Sequence, residues 1–221
     1  MIVLACSLWG DKDKYCQGAI RAARAVPQIS QASRVPLQMW VYHDDTVPKR
    51  VLQTLKKLDC KVMHVSARRA AWKGERRAMW RFLAMGDARA VYLIDADMST
   101  EIMLTPRVLK TLREMHSAPK NCCQIWTWRP TWRHQSTYCI PACFTGVVTP
   151  SPTKIAGALE HFQATHKPLT FGKGSLPPNR ARYGNGYGLD EWFLRFRWLN
   201  LLRKQHSMTV RVKMVDYMRI R

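Results

Sequence analysis

The chain alternates between short apolar runs and longer stretches in which apolar residues recur every three or four positions. The first run, "IVLACSL", reads as a buried strand, and "KYCQGAIRAARAV" follows as a helix with Tyr15, Ala19, Ala22 and Val26 near one face. "LQMWVYHDD" is a second strand ending in acids. "PKRVLQTLKKLD" is then a helix with Pro48 at its start and Val51, Leu55 and Leu58 on one stripe. "KVMHVSA" reads as a third strand, "KGERRAMWRFLAMGD" as a helix burying Met79, Phe82 and Leu83, and "AVYLID" as a fourth strand. Strands separated by helices predict right-handed βαβ crossovers and a parallel sheet covered on both faces. The expected fold class is therefore α/β, with a mostly parallel, Rossmann-like central sheet flanked by helices.

The pattern loosens in the second half. "CCQIWTW" and "CFTGVVT" read as strands, and "SPTKIAGALEHFQAT" as a helix capped by Ser151 with Pro152 at its first position. "GLDEWFLRFRWLNLLRK" reads as a long helix, and "MTVRVKMVD" closes the chain as an alternating strand. Between the helices lies "HKPLTFGKGSLPPNRARYGNGYG", a basic segment rich in Pro and Gly. Segments of that length without periodicity are functional lids or disordered.

Composition bounds these expectations. With 221 residues, 47% of them hydrophobic, and nine tryptophans, the chain can bury one substantial core. A single domain over residues 1–221 is expected, with a regular half at 1–100 and a smaller, irregular half at 101–221. The seven cysteines are an odd number, scattered except for Cys122 and Cys123, and no CxxC pair is matched by a second one. That usage predicts free thiols in a reducing, cytoplasmic compartment and excludes a disulfide framework or a structural zinc site. The N-terminal apolar run is short, lacks a basic leader and runs straight into "DKDK", so it reads as a strand and not a signal peptide. No uncharged apolar run approaches the roughly 20 residues that span a bilayer, so a soluble chain with no transmembrane segment is expected.

The formal net charge of +21 first suggests nucleic acid or an anionic surface as partner. The basic residues, however, spread from Lys12 to Arg221, with modest clusters at Arg68-Arg69 and Arg76-Arg77 and no basic tail, repeat or low-complexity block. An anionic small substrate, or solubility alone, accounts for the charge equally well. Nucleic acid is therefore a secondary expectation.

The candidate chemistry lies where the fourth strand ends. "YLIDADM" puts Asp95 and Asp97 on either side of Ala96, and ligands of open parallel sheets bind beyond the carboxyl ends of the strands. Residues two apart in extended chain point the same way, so both carboxylates can face one cation, and an oxygen-rich set of this kind suits Mg²⁺ or Mn²⁺. Strand-end aspartates that cap the next turn fit the spacing equally well. Further on, "RYGNGYGLDEWFL" sets three glycines before the acid pair Asp190-Glu191 at the start of an apolar helix. Acids in a first helical turn also complement the helix dipole, which is a purely structural role. His134, His166 and His206 are candidate third ligands that read equally as surface or core histidines.

Taken in order, "RRAMWRFLA", "YLIDADM", "CFTGVV" and "YGLDEWFL" resemble small glycosyltransferases of the A-type nucleotide-sugar fold, particularly the compact enzymes of large DNA viruses and some bacteria. The resemblance spans most of the chain but rests on short motifs. It implies a DxD motif in which Asp97 ligates a divalent metal on the donor diphosphate. Asp95 would bond the ribose or complete the metal shell, and Mn²⁺ or Mg²⁺ would be the cofactor. It also implies that Ser7, Leu8 and Trp9 border the nucleotide base with Asp44 nearby, and that Arg77 or Arg81 approaches the donor phosphate or ribose. Gly146 would keep the acceptor side open, and Asp190, with Glu191 beside it, would be the catalytic base. Residues 1–100 become the nucleotide-sugar-binding half and residues 101–221 the acceptor-side half. The implied partners are a nucleoside diphosphate sugar, UDP-linked by preference, and a glycan or glycoprotein acceptor. The family often carries Arg before and after the DxD, where this chain has Ile94 and Ser99.

The chemistry suits these residue types, because charge building on a leaving diphosphate is neutralised by a metal with Arg or Lys, and a carboxylate deprotonates the acceptor in an inverting reaction. The loop holding Lys173, Arg180 and Arg182 is a candidate lid over the diphosphate. Two rival classes are a Mg²⁺-dependent nucleotidyl or phosphoryl enzyme and a non-catalytic binder of nucleic acid or anionic glycan. The first lacks both a Gly-rich phosphate loop after the first strand and a nucleophilic Asp there.

Overall fold

The structure is a computed structural model describing residues 1–66, 69, 74–119, 121, 123–128, 143–165, 193–194, 198–206 and 211–215. Its first strand, β1 (Ile2–Leu8), is buried along its whole length. Ile2, Leu4, Cys6 and Leu8 enter one apolar cluster, and Val3 and Ala5 enter a second on the opposite face. An uninterrupted apolar run is what a strand covered on both faces requires.

Helix α1 (Asp13–Ser33) lies against the first cluster and buries Cys16, Ala19, Ile20, Ala22, Ala23, Ala25 and Ile29. Tyr15, expected on that face, is 37% exposed; the buried stripe begins one residue later. Strand β2 (Leu37–His43), helix α2 (Lys49–Lys57) and strand β3 (Lys61–His64) follow. Val51 and Leu55 are the buried positions of α2.

The segment Gly74–Leu83, expected to be α-helical, is a ten-residue 3₁₀ helix, η1, that gives way to a short α3 (Ala84–Asp87). The Ser7 hydroxyl of β1 donates to the Ala78 carbonyl at 2.9 Å and accepts the Arg81 backbone N–H at 2.8 Å, bridging an i, i+3 pair and tying η1 to the end of β1. Met79, Phe82 and Leu83 are nonetheless buried, as expected, and Trp80 is buried with them.

Strand β4 (Ala90–Leu93) leads to α4 (Thr100–Met103), α5 (Pro106–His116), β5 (Gln124–Trp128), β6 (Gly146–Val148), α6 (Ile155–Thr165), α7 (Leu199–His206) and β7 (Arg211–Val215). Helix α6 starts four residues after Ser151, the expected cap. Thr153 instead donates both its backbone N–H, at 2.9 Å, and its hydroxyl, at 3.1 Å, to the Met85 carbonyl, which holds the approach to the helix against α3.

The seven strands of the described residues form one sheet in the order β3-β2-β1-β4-β6-β5-β7. Strands β1 to β4 pair in parallel, as does β5 with β7, but β6 runs antiparallel to both β4 and β5. The fold is α/β, and the sheet is mixed, not the mostly parallel one expected from the strand–helix alternation. The helices α4 and α5 carry the chain from β4 to β5, which runs parallel to β4, and β6 fills the place between them in the opposite direction. One face carries α1, α2 and α5, and the other carries η1, α3, α6 and α7.

Candidate functional site

From β1 the chain builds outward to β2 and β3, then returns to place β4 on the other side of β1. The strand order reverses between β1 and β4, and the crevice beyond the carboxyl ends of such strands is where open α/β sheets bind ligands. Ser7 and Leu8 end β1, Asp44 follows β2, and Asp95 to Asp97 follow β4, so the topology gathers these residues at one edge of the sheet.

The DxD segment is a turn, closed by the Met98 backbone N–H donating to the Asp95 carbonyl at 3.2 Å. Strand β4 has already ended at Leu93, so the two-residue periodicity of extended chain does not govern the two carboxylates. They take different partners. Asp95 accepts from the Arg81 guanidinium on the η1 side, and Asp97 Oδ2 lies 2.6 Å from Lys14 Nζ on the α1 side. Arg81 is 4% exposed and also donates to the Ile94 carbonyl at 3.0 Å, whereas the Lys14 side chain is 70% exposed. Hydrogen bonding to Asp97 raises the Lys14 ammonium above its ordinary pKa.

The closeness of α1 to this turn is set at Gly18. A Cβ there would stand 2.6 Å from both the Ala96 carbonyl oxygen and the Asp97 Cα, which only glycine avoids. Gly18 thus fixes the second turn of α1 against the DxD backbone, buries Ala96 beneath it, and leaves Lys14, one helical turn earlier, over Asp97. Lys14 and Gly18 carried no recognisable signal in the sequence. Lys14 stood in a polar run after a strand and Gly18 among helix-favouring alanines, and their partners lie some eighty positions away.

Beyond β2, Asp44 is 2% exposed and well satisfied. Its Oδ1 accepts both the Thr46 backbone N–H, at 3.1 Å, and the Thr46 hydroxyl, while Oδ2 lies 3.5 Å from Arg77 Nη1. The Thr46 hydroxyl also accepts the Gly10 N–H at 2.7 Å, which ties the turn after β1 to the turn after β2. His43, 7% exposed, has its pKa held below the ordinary value chiefly by burial. Trp9 meets Trp80 edge to face at 6.2 Å and remains partly open, whereas the Leu8 side chain is in the core, so only its backbone borders the crevice.

Two expectations fall elsewhere. Gly146 does not hold a cavity open: a Cβ there would collide with the Met115 thioether and lie 3.2 Å from the Tyr92 ring, so this glycine serves the packing of α5 on the sheet. Asp190 and Glu191, the basic loop with Lys173, Arg180 and Arg182, and the histidines 134 and 166 lie outside the described residues, as does the His206 side chain.

Chemically, the edge presents two carboxylates, each engaged by a cationic side chain, with the buried Asp44 and its partly exposed partner Arg77 alongside. Among the described residues no group of three or more His, Cys, Asp and Glu is gathered to hold a metal, and no helix is long and apolar enough to cross a membrane. Five cysteines, Cys6, Cys16, Cys60, Cys123 and Cys143, are free thiols. No protein-family model matches the chain, and no curated protein is found similar to it.

Proposed function

We propose that the chain is a metal-dependent glycosyltransferase that moves a sugar from a nucleoside diphosphate sugar, UDP-linked by preference, to a hydroxyl of a glycan or glycoprotein acceptor. The observation that carries this reading is the gathering of Asp95, Asp97, Ser7, Arg81 and the Asp44–Arg77 pair at the β1–β4 switch point. The residues present fit Mn²⁺ or Mg²⁺. Such ions use one or two carboxylates and complete their shell with water and substrate phosphate, so a third protein ligand is not required. Asp97 is the better ligand, because its present partner is a solvent-exposed lysine that can be exchanged. When bound, the metal neutralises charge that builds on the leaving diphosphate.

The chain's own residues divide the remaining work. Arg81 holds Asp95 in place from beneath and is itself pinned by the Ile94 carbonyl. Arg77, with a side chain 24% exposed, can turn from Asp44 toward a phosphate or ribose, and Lys14 can pass from Asp97 to the diphosphate once a metal takes the carboxylate. Trp9, which follows β1 and is partly exposed, is the aromatic side chain available to a base. In this reading Asp190 deprotonates the acceptor hydroxyl.

The test is thermal protection by nucleotides. UDP or GDP should raise Tm only when Mn²⁺ or Mg²⁺ is also present, and Asp97→Ala should remove that protection while remaining folded. Protection that ignores the metal, or that survives in Asp97→Ala, overturns the assignment. Tight, sequence-blind binding of DNA without nucleotide protection would favour a nucleic-acid binder.

A further inference from the structure

A second concave site of about 700 Å³ opens on the sheet face that carries η1, α3 and α6, and none of its lining residues belongs to the Asp95–Asp97 edge. One wall is Tyr42 of β2, which is 4% exposed and whose hydroxyl has no hydrogen-bond partner. A buried hydroxyl without a partner is unfavourable and uncommon, and its residue lines a cavity. Arg69 stands beside it. One guanidinium nitrogen of Arg69 donates to Glu160 Oε1 at 2.8 Å, while its Nε is buried without a partner.

The first turn of α6 also lines the cavity. The amides of Ala156 and Gly157 sit where a helix offers N–H groups no intrahelical acceptor, and that turn carries no acid to occupy them. Gly157 faces open space, since a Cβ there would meet nothing within 4 Å. A helix start with free amides and a guanidinium in one lining is an anion-binding arrangement. Part of the lining is apolar, with Met63 and Leu83, and Asp87 is the one acid among the described residues that line the cavity. Burial and the nearby Asp87 push the Tyr42 hydroxyl pKa up, so that it stays a neutral donor.

We propose that this cavity binds a small phosphate monoester, with the phosphate held by the first turn of α6 and Arg69, the Tyr42 hydroxyl donating to it, and an apolar or aromatic body lying over Met63 and Leu83. Asp87 leaves room for a neutral hydroxyl of the ligand and opposes a second anionic group. The site is independent of the transferase reading, because it shares no residue with the DxD edge.

The experiment is calorimetric titration of the whole chain with inorganic phosphate, phenyl phosphate and benzoate. Phenyl phosphate should bind more tightly than either of the others. Tyr42→Phe removes a hydroxyl that makes no bond in the free protein, so Tm should hold or rise while phenyl phosphate affinity falls about fivefold to tenfold. Gly157→Glu favours the helix, both by propensity and by an acid in its first turn, yet it should abolish binding by placing a carboxylate in the cavity. Asp97→Ala should bind phenyl phosphate as the unmodified chain does. The proposal is overturned if phenyl phosphate does not bind at millimolar concentration, if benzoate binds as tightly, or if Tyr42→Phe and Gly157→Glu bind normally. Loss of binding in Asp97→Ala would likewise overturn it, by moving the phosphate to the DxD edge.

Discussion

Lys14 occupies Asp97 from a helix held at contact distance by Gly18, so a divalent cation that reaches Asp97 exchanges with an ammonium group already there. Removing that ammonium removes both a competitor and a like charge beside the metal. Lys14→Met should therefore bind Mn²⁺ several-fold more tightly, read from the free-Mn²⁺ paramagnetic signal, whereas Asp97→Ala should abolish the binding. Equal affinity in Lys14→Met and the unmodified chain would show that Lys14 does not compete. His43 supplies a prediction of a different kind. Burial lowers its folded pKa, so the unfolded chain, near its ordinary value of about 6.5, takes up the proton first. Stability is then complete above that value, falls as pH drops below it, and levels off beneath the folded pKa. Urea midpoints on either side of about pH 6.5 should show this slope, and His43→Gln should flatten it; an unchanged slope in the variant would assign the dependence to other groups.

Among the elements, the contact between α1 and the DxD turn makes the sharpest demand on sequence. Gly18→Ala improves helix propensity by about 1 kcal/mol, yet its Cβ would stand 2.6 Å from backbone atoms of Ala96 and Asp97 that cannot rotate away. Overpacking should win, with a net loss of about 1–3 kcal/mol in urea unfolding and weaker Mn²⁺ binding, because the turn moves with the helix. A stabilised Gly18→Ala with intact metal binding would mean that α1 and the turn are not coupled. The same contact marks the boundary of what was legible beforehand. Strands β1 to β4 and the helices between them could be read because each repeats its own local period, and the Asp95–Asp97 pair could be located because it interrupts such a run. The antiparallel β6 could not be read, since strand direction depends on which edge the chain returns to. Nor could the tie between η1 and β1, because the Ser7 hydroxyl that makes it is 71 positions from Ala78. The partners of the two aspartates were hidden for the same reason: Arg81 was named for the donor and is found holding Asp95, while Lys14 had no local pattern to distinguish it.

For the whole molecule the dominant quantity is charge, 36 Lys and Arg against 15 Asp and Glu. A field of that sign raises the local concentration of any polyanion, so it attracts a nucleoside diphosphate sugar and a nucleic acid alike, and attraction alone does not separate a transferase from a binder. The salt dependence does. A diphosphate is a small ligand gathered over a screening length of about 10 Å at 0.1 M ionic strength, and the metal and aspartates that act on it lie at closer range, where screening is weaker. In the proposed reaction, raising NaCl from low to physiological levels should therefore raise the donor KM several-fold while kcat changes little. A polynucleotide covering many basic residues instead releases one set of counterions per phosphate contacted, and its affinity falls along a log–log slope of about 0.9 per contact. Measuring donor KM, kcat and duplex DNA affinity across one salt series on the same preparation sets the two side by side. A donor KM that climbs with salt at near-constant kcat supports the transferase; a steep DNA slope with no donor turnover at any salt would leave the basic surface as the function and the carboxylates at the switch point as turn caps.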